Sequence, residues 1–341
     1  MGKKFVSFGE IMLRLSPPGY GRFVQATSFD AVYGGGEANV AASAANFGLD
    51  SYFVTKVPSH EIGQSAVNSL RALGVDTRYI LRGGDRLGIY FCENGASQRA
   101  SKVIYDRANS SISQVQPGEF DWDKILEGAE WFHFTGITPA LGDNVAAVTK
   151  EALVAARRLG VKVSADLNYR KKLWSKEKAG RVMSELMGYV DVLIGNEEDA
   201  ESVFGIKATG SDVTRGEVSA EAYVEVARKL VERFDFERVA ITLRESRSAS
   251  DNGWAGMLYD GATAHVSRKY DVHIVDRVGG GDAFAGGLIY ALLSGMQDQE
   301  AVEFAAAASC LKHSIVGDVN LVSVDEVKAL AGGDKSGRVQ R

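Results

Sequence analysis

Apolar residues follow two rhythms along this chain. Short apolar-rich runs recur at 51–57, 77–81, 131–134, 161–166, 191–194 and 239–243, whereas 62–73, 145–159 and 221–234 repeat their apolar positions at helical spacing. The first pattern suits strands covered on both faces and the second suits amphipathic helices. Their alternation predicts a parallel sheet with crossover helices, an α/β fold. Two stretches depart from it. The β-rich run 5–15 stops at the turn Ser16-Pro17-Pro18-Gly19 and is followed by a short strand at 30–32, while 88–93 and 102–105 flank a polar connection at 94–101 and predict an antiparallel hairpin. Together they predict a small sheet projecting from the main body as a lid, over about 11–33 and 86–108. Tyr90, Tyr105 and Arg107 fall on it, where the plain reading is a half-exposed hairpin face.

Two glycine turns run into helices. Gly34-Gly35-Gly36 leads into an alanine-rich helix that ends at Gly48, with the polar Asn39 in its first turn. Ala38, Ala41, Ala42 and Ala45 suit close packing on a sheet, which does not by itself require Asn39. Near the other end, Gly279-Gly280-Gly281 precedes a helix predicted over 283–294. Three glycines free the backbone N–H groups to converge on an anion at a helix N-terminus. Asp282 stands at that terminus. It is suited either to accept a proton from a substrate hydroxyl or to cap the helix.

Polar clusters follow the later strands: Asp166-Leu167-Asn168-Tyr169-Arg170, Asn196-Glu197-Glu198-Asp199, and Arg244-Glu245 after Leu243. In a parallel sheet these gather along one edge, where α/β folds carry ligands. The rest of the composition mainly excludes. A net charge of −5 favours neither nucleic acid nor an anionic membrane, so any anion site is local. Cys92 and Cys310 form no CxxC pair, no apolar run reaches the length of a membrane span, and the expected setting is cytoplasmic. Residues 208–219 read as a polar surface insertion.

Gly34-Gly35-Gly36-Glu37-Ala38-Asn39 and Asp276-Arg277-Val278-Gly279-Gly280-Gly281-Asp282, with the clusters between them, resemble the ribokinase-like (PfkB) sugar kinases over residues 9–330. The family usually has Thr where Arg277 stands and Ala at Gly280, and its Asn-x-x-Glu element ends here in Asp199. The resemblance implies a single domain over 1–341, a ribokinase-like three-layer αβα sandwich with a mostly parallel central sheet and a small β-sheet lid. It also implies ATP and Mg²⁺, and leaves room for a monovalent cation.

Within the family the chain is similar to 2-keto-3-deoxygluconate kinases, through residues 9–16, Tyr105 with Arg107, Gly136-Ile137-Thr138-Pro139-Ala140, residues 166–170 and Gly317-Asp318. The implied reaction is phosphorylation of the primary hydroxyl of that acid sugar to its 6-phosphate. Asp282 is then the base and Gly279, Gly280 and Gly281 the anion hole; Arg14, Gly35, Asn39, Tyr90, Tyr105, Arg107, Arg170 and Asp318 line the sugar. Asn168, Asn196, Leu243, Arg244 and Glu245, with Gly279 and Gly281, line ATP, and Asp199 reaches Mg²⁺ through water. A homo-oligomer, a dimer or higher formed through the lid, is expected, with no nucleic-acid or membrane partner. The alternatives are a fructokinase- or ribokinase-type enzyme for another sugar or nucleoside, and a sugar sensor without transfer.

Overall fold

The computed structural model describes residues 2–208 and 220–334; most of the insertion expected at 208–219 lies outside them. The first seven strands are β1 (Lys4–Phe8), β2 (Met12–Ser16), β3 (Asp30–Gly34), β4 (Asp50–Val57), β5 (Ile80–Arg82), β6 (Gly88–Glu93) and β7 (Lys102–Asp106). They are followed by β8 (Trp131–Thr135), β9 (Lys162–Asp166), β10 (Val192–Gly195), β11 (Arg238–Ser246), β12 (Asp251–Tyr259), β13 (Ala264–Val266) and β14 (Tyr270–His273). The main sheet runs β13-β12-β11-β10-β9-β8-β1-β4-β5, with β14 alongside β12. It is parallel from β5 to β11, and β12, β13 and β14 form its antiparallel edge.

Alternate side chains of each central strand enter different cores. Val6, Phe8, Phe132, Phe134, Val163, Ala165 and Leu193 join the core under the helices Asp143–Leu159, Lys176–Met187 and Ala220–Phe234. Phe5, Trp131, Val192 and Ile194 join the core under Gly36–Asn46, Glu61–Ala72, Gly280–Leu293 and Asp298–Lys312. The period-two geometry of a strand thus turns a continuous apolar run into two filled layers, giving the expected αβα sandwich.

The β-rich run 5–15 is not one strand. β1 belongs to the main sheet and β2 to a separate four-stranded sheet of order β3-β2-β6-β7. The chain changes sheet at Gly9, where any side chain would strike the carboxylate of Glu37. In the small sheet β2 pairs antiparallel with β3 and parallel with β6, and β6 pairs antiparallel with β7 as the expected hairpin. The 77–81 strand is also displaced, beginning at Ile80, because Thr77 to Tyr79 form the turn that brings the chain back to β4.

Candidate active site

The helices Gly36–Asn46 and Gly280–Leu293 pack on one another through small residues and bring both N-termini to one place. A side chain on Gly286 would meet Ser43 Cβ at 2.6 Å, so this approach requires glycine. Asn39, in the first turn of one helix, donates its Nδ2–H to Asp282 Oδ2 across 2.7 Å. Asp282 is therefore not the cap of its helix. That position is Gly279, whose φ of 83° is the left-handed conformation glycine tolerates and whose missing side chain makes room for the Asp318 carbonyl.

Beside Asp282 lies a cavity of about 410 Å³. Met12, Tyr90, Val103, Tyr105 and Arg107 wall it from the small sheet, and Asn39 on its helix joins Gly35, Asn168, Arg170 and Asp318 from loops around its floor. On the far side stand Asn196, Asp199, Thr242, Arg244, Trp254 and Arg277. A wider depression shares Tyr105, Arg107, Arg170 and Asp199 with this cavity and opens it outward past Lys171 and Lys172.

Gly279, Gly280 and Gly281 line the cavity. Gly280 N–H reaches back to the Arg277 carbonyl at 3.4 Å, while those of Gly279, Gly281 and Asp282 have no acceptor among the described residues. An anion here would thus take Asp282 N–H in place of Gly280, a shift of one residue from the expected set. Gly280 has a different constraint. A Cβ there would lie 2.5 Å from His313 Cε1, and the His313 ring packs on Trp254 with centroids 4.9 Å apart. The His313 imidazole fills the place of the methyl group that the family usually carries at this position.

The Asp282 carboxyl is pushed up from the ordinary 3.8 to about 6, first by burial, against which the Asn39 hydrogen bond acts, with the charges of Asp318 and Glu37 adding to the rise. Asp166, at the end of β9, is held well above the usual carboxylate range by burial and by the nearby charges of Asp199 and Asp282. Its Oδ1 accepts from Asn168 N–H at 3.1 Å and holds Asn168 at φ 39°, a left-handed turn that asparagine tolerates. Glu37 is buried beneath the first turn of its helix, where Thr135 N–H and the hydroxyls of Thr135 and Thr138 all donate to its Oε1.

The arginines divide into two groups. The guanidinium of Arg14 is 2.7 Å from Asp276 and 2.6 Å from Asp318, at 1% exposure, and does not line the cavity. The expectation that Arg14 meets a sugar is therefore corrected. It ties strand β2 to the segment before the glycine turn, and Tyr90 donates its hydroxyl to the same Asp318. Arg107 forks onto Glu10, which also accepts from Ser110. Arg170, Arg244 and Arg277 line the cavity without a carboxylate within ion-pair distance among the described residues.

Of the residues expected on the nucleotide side, Arg244 and Asn196 line the cavity, but Leu243 and Glu245 do not. They neighbour Arg244 on a strand, so their side chains take the opposite face: Leu243 packs on the hydrophobic core, and Glu245 pairs with Lys269 and Arg247. Asn196 caps the helix Glu197–Phe204 through its Oδ1, and Asp199 Oδ1 accepts from Tyr169 N–H. Thr242, Trp254 and His313 were not legible beforehand. Trp254 lies on the antiparallel edge strand β12, outside the pattern of polar clusters after parallel strands.

Residues 3–322 match the pfkB family carbohydrate kinase description. The chain belongs to this family. It is 34% identical to a 2-dehydro-3-deoxygalactonokinase of Haloferax volcanii over 98% of both chains. It is also similar to the crystal structure of 2-dehydro-3-deoxygluconokinase from Thermotoga maritima, at 55% identity and a TM-score of 0.94, covering 97% of this chain and 100% of the other. A putative ribokinase II from E. coli, solved with ATP and Mg²⁺, shares the fold at 19% identity and a TM-score of 0.80, covering 97% of this chain and 99% of that one. The chain is thus a phosphotransferase of the pfkB carbohydrate kinases, with their ribokinase-like fold.

Proposed function

We propose that this kinase transfers the γ-phosphoryl group of ATP to the primary hydroxyl of 2-keto-3-deoxygluconate, forming the 6-phosphate. The observation that carries this reading is Asp282, placed between the glycine turn and Arg170, which lines the cavity without a carboxylate in ion-pair distance among the described residues. A neutral sugar has little use for a guanidinium there, whereas the fork of Arg170 matches a carboxylate in two bonds. The 2-dehydro-3-deoxygluconokinase name of the Thermotoga maritima protein supports the same substrate class.

The hydroxyl is held against Asp282, whose carboxylate takes its proton as the new O–P bond forms and the bond to ADP breaks. The N–H groups of Gly279, Gly281 and Asp282 face the phosphoryl oxygens as charge spreads over them. Arg244 and Arg277 add positive charge on the nucleotide side. Asp166 and Asp199 both line the cavity and together would offer the hard oxygen donors that Mg²⁺ takes. When bound, that ion neutralises the triphosphate. The small sheet closes over the sugar and excludes water. Exposed Ile104 on it and exposed Val24 in the connection between β2 and β3 support pairing with a second copy, which sedimentation velocity would test.

The test is a panel of acid and neutral sugars assayed with ATP and Mg²⁺, including both the gluconate and galactonate forms of the acid sugar. Preference for a keto-deoxy acid over fructose and ribose is expected. Equal or better turnover of a neutral ketose would overturn the substrate assignment.

A further inference from the structure

The helix Asp298–Lys312 ends in a buried lysine that none of the chemistry above employs. Lys312 is 0% exposed and has no carboxylate within ion-pair distance among the described residues. Its Nζ instead donates to two backbone carbonyls, that of Asp276 at 3.4 Å and that of Ile315 at 3.2 Å. Burial lowers its pKa, while the nearby charges of Asp276 and Asp318 act in the opposite direction.

These two carbonyls belong to the strands of chain that fix the glycine turn. Val275 N–H and Asp276 N–H both donate to the His313 carbonyl, at 2.8 and 3.2 Å. Asp276 Oδ1 accepts from Val278 N–H at 3.1 Å and its Oδ2 from Gly317 N–H at 3.0 Å, with Arg14 on the same carboxylate. Asp318 then supplies the carbonyl that packs under Gly279. Segment 275–278 is therefore laced to 313–318, and Lys312 stands at the centre of the lacing. Two carbonyl oxygens converging on one buried positive charge offer part of the oxygen shell that a monovalent metal ion would otherwise take.

We propose that the Lys312 ammonium is a built-in monovalent cation that positions the anion-binding turn, so that this kinase needs no added potassium. Lys312 is a positioning residue acting through Asp276 and the turn. The inference rests on the proposed role of Gly279, Gly281 and Asp282 in holding the phosphoryl group. A side chain fixed in the chain occupies this position at every ion concentration, whereas a free ion occupies it according to its affinity.

The first experiment uses the unaltered enzyme, freed of potassium and ammonium and assayed at constant ionic strength in tetramethylammonium, sodium or potassium chloride. Turnover is expected to agree within about twofold across the salts. A several-fold stimulation by potassium would overturn the proposal without any variant being made. The second experiment uses Lys312→Ala, which vacates this position. Turnover is expected to fall about ten- to hundredfold, as for a small displacement of a catalytic turn, and saturable restoration by potassium or ammonium ions is expected. A folded Lys312→Ala enzyme with undiminished turnover would sink the idea, as would a loss that no cation restores. If Gly281→Pro, which removes one of the three N–H groups, keeps its turnover, the phosphate-turn reading itself fails, whatever the response to cations.

Discussion

Asp282→Asn separates the catalytic from the structural role of one carboxylate. Its pKa is raised from 3.8 to about 6, which corresponds to about 3 kcal/mol at most between the two protonation states. In this interval the folded chain binds more protons than the unfolded chain, so stability is fullest below pH 4 and declines as pH rises through 6. Asparagine carries no charge, and its carbonyl oxygen still accepts from Asn39. Asp282→Asn is therefore expected to be the more stable protein above pH 6.5, by up to about 3 kcal/mol, with the advantage vanishing near pH 4. Turnover should fall by about 10² to 10⁴, with sugar affinity little changed. In the unaltered enzyme, kcat/KM should fall about tenfold per pH unit below 6 as the base is protonated. Urea denaturation from pH 4 to 8 and a pH–rate profile with saturating ATP measure both effects. Near-normal turnover of Asp282→Asn, or a rate flat down to pH 5, would refute the assignment of Asp282 as base.

Other substitutions probe the surroundings of the turn. Gly280→Ala places a methyl group 2.5 Å from the His313 ring and should cost about 1–3 kcal/mol of stability together with turnover; adding His313→Ala should recover part of both, and thermal melts with kinetics on the three variants check this. Arg14→Met leaves Asp276 and Asp318 buried without their cation and should destabilise by about 3–5 kcal/mol, read by urea denaturation. Arg170→Ala should raise KM for the acid sugar about 10- to 100-fold while leaving a neutral ketose nearly unaffected, and an equal rise for both would remove Arg170 from carboxylate recognition.

The sequence by itself determined the architecture and the place of the glycine turn. Apolar-rich runs alternating with helical segments specify a parallel sheet covered on both faces, because burial on two sides replaces the apolar–polar alternation of a half-exposed strand. Gly279, Gly280, Gly281 and Asp282 were legible together because a glycine turn running into a helix start is a local pattern of consecutive small residues. Arg170 was legible because it follows a strand end that the parallel sheet carries to its ligand edge, and Asn39 because the packing of its alanine-rich helix does not require it. What only the tertiary structure decided is which charges are already engaged. Arg14 and Arg170 look alike in sequence, yet Arg14 is bound by Asp276 and Asp318, residues about 260 and 300 positions away, while Arg170 faces the cavity. In the same way, His313 explains Gly280, and Lys312 finds its two carbonyls, only once the last helices have packed behind the turn. Ion pairing and close packing depend on distances of a few ångströms between remote segments, and no local pattern of residues encodes them.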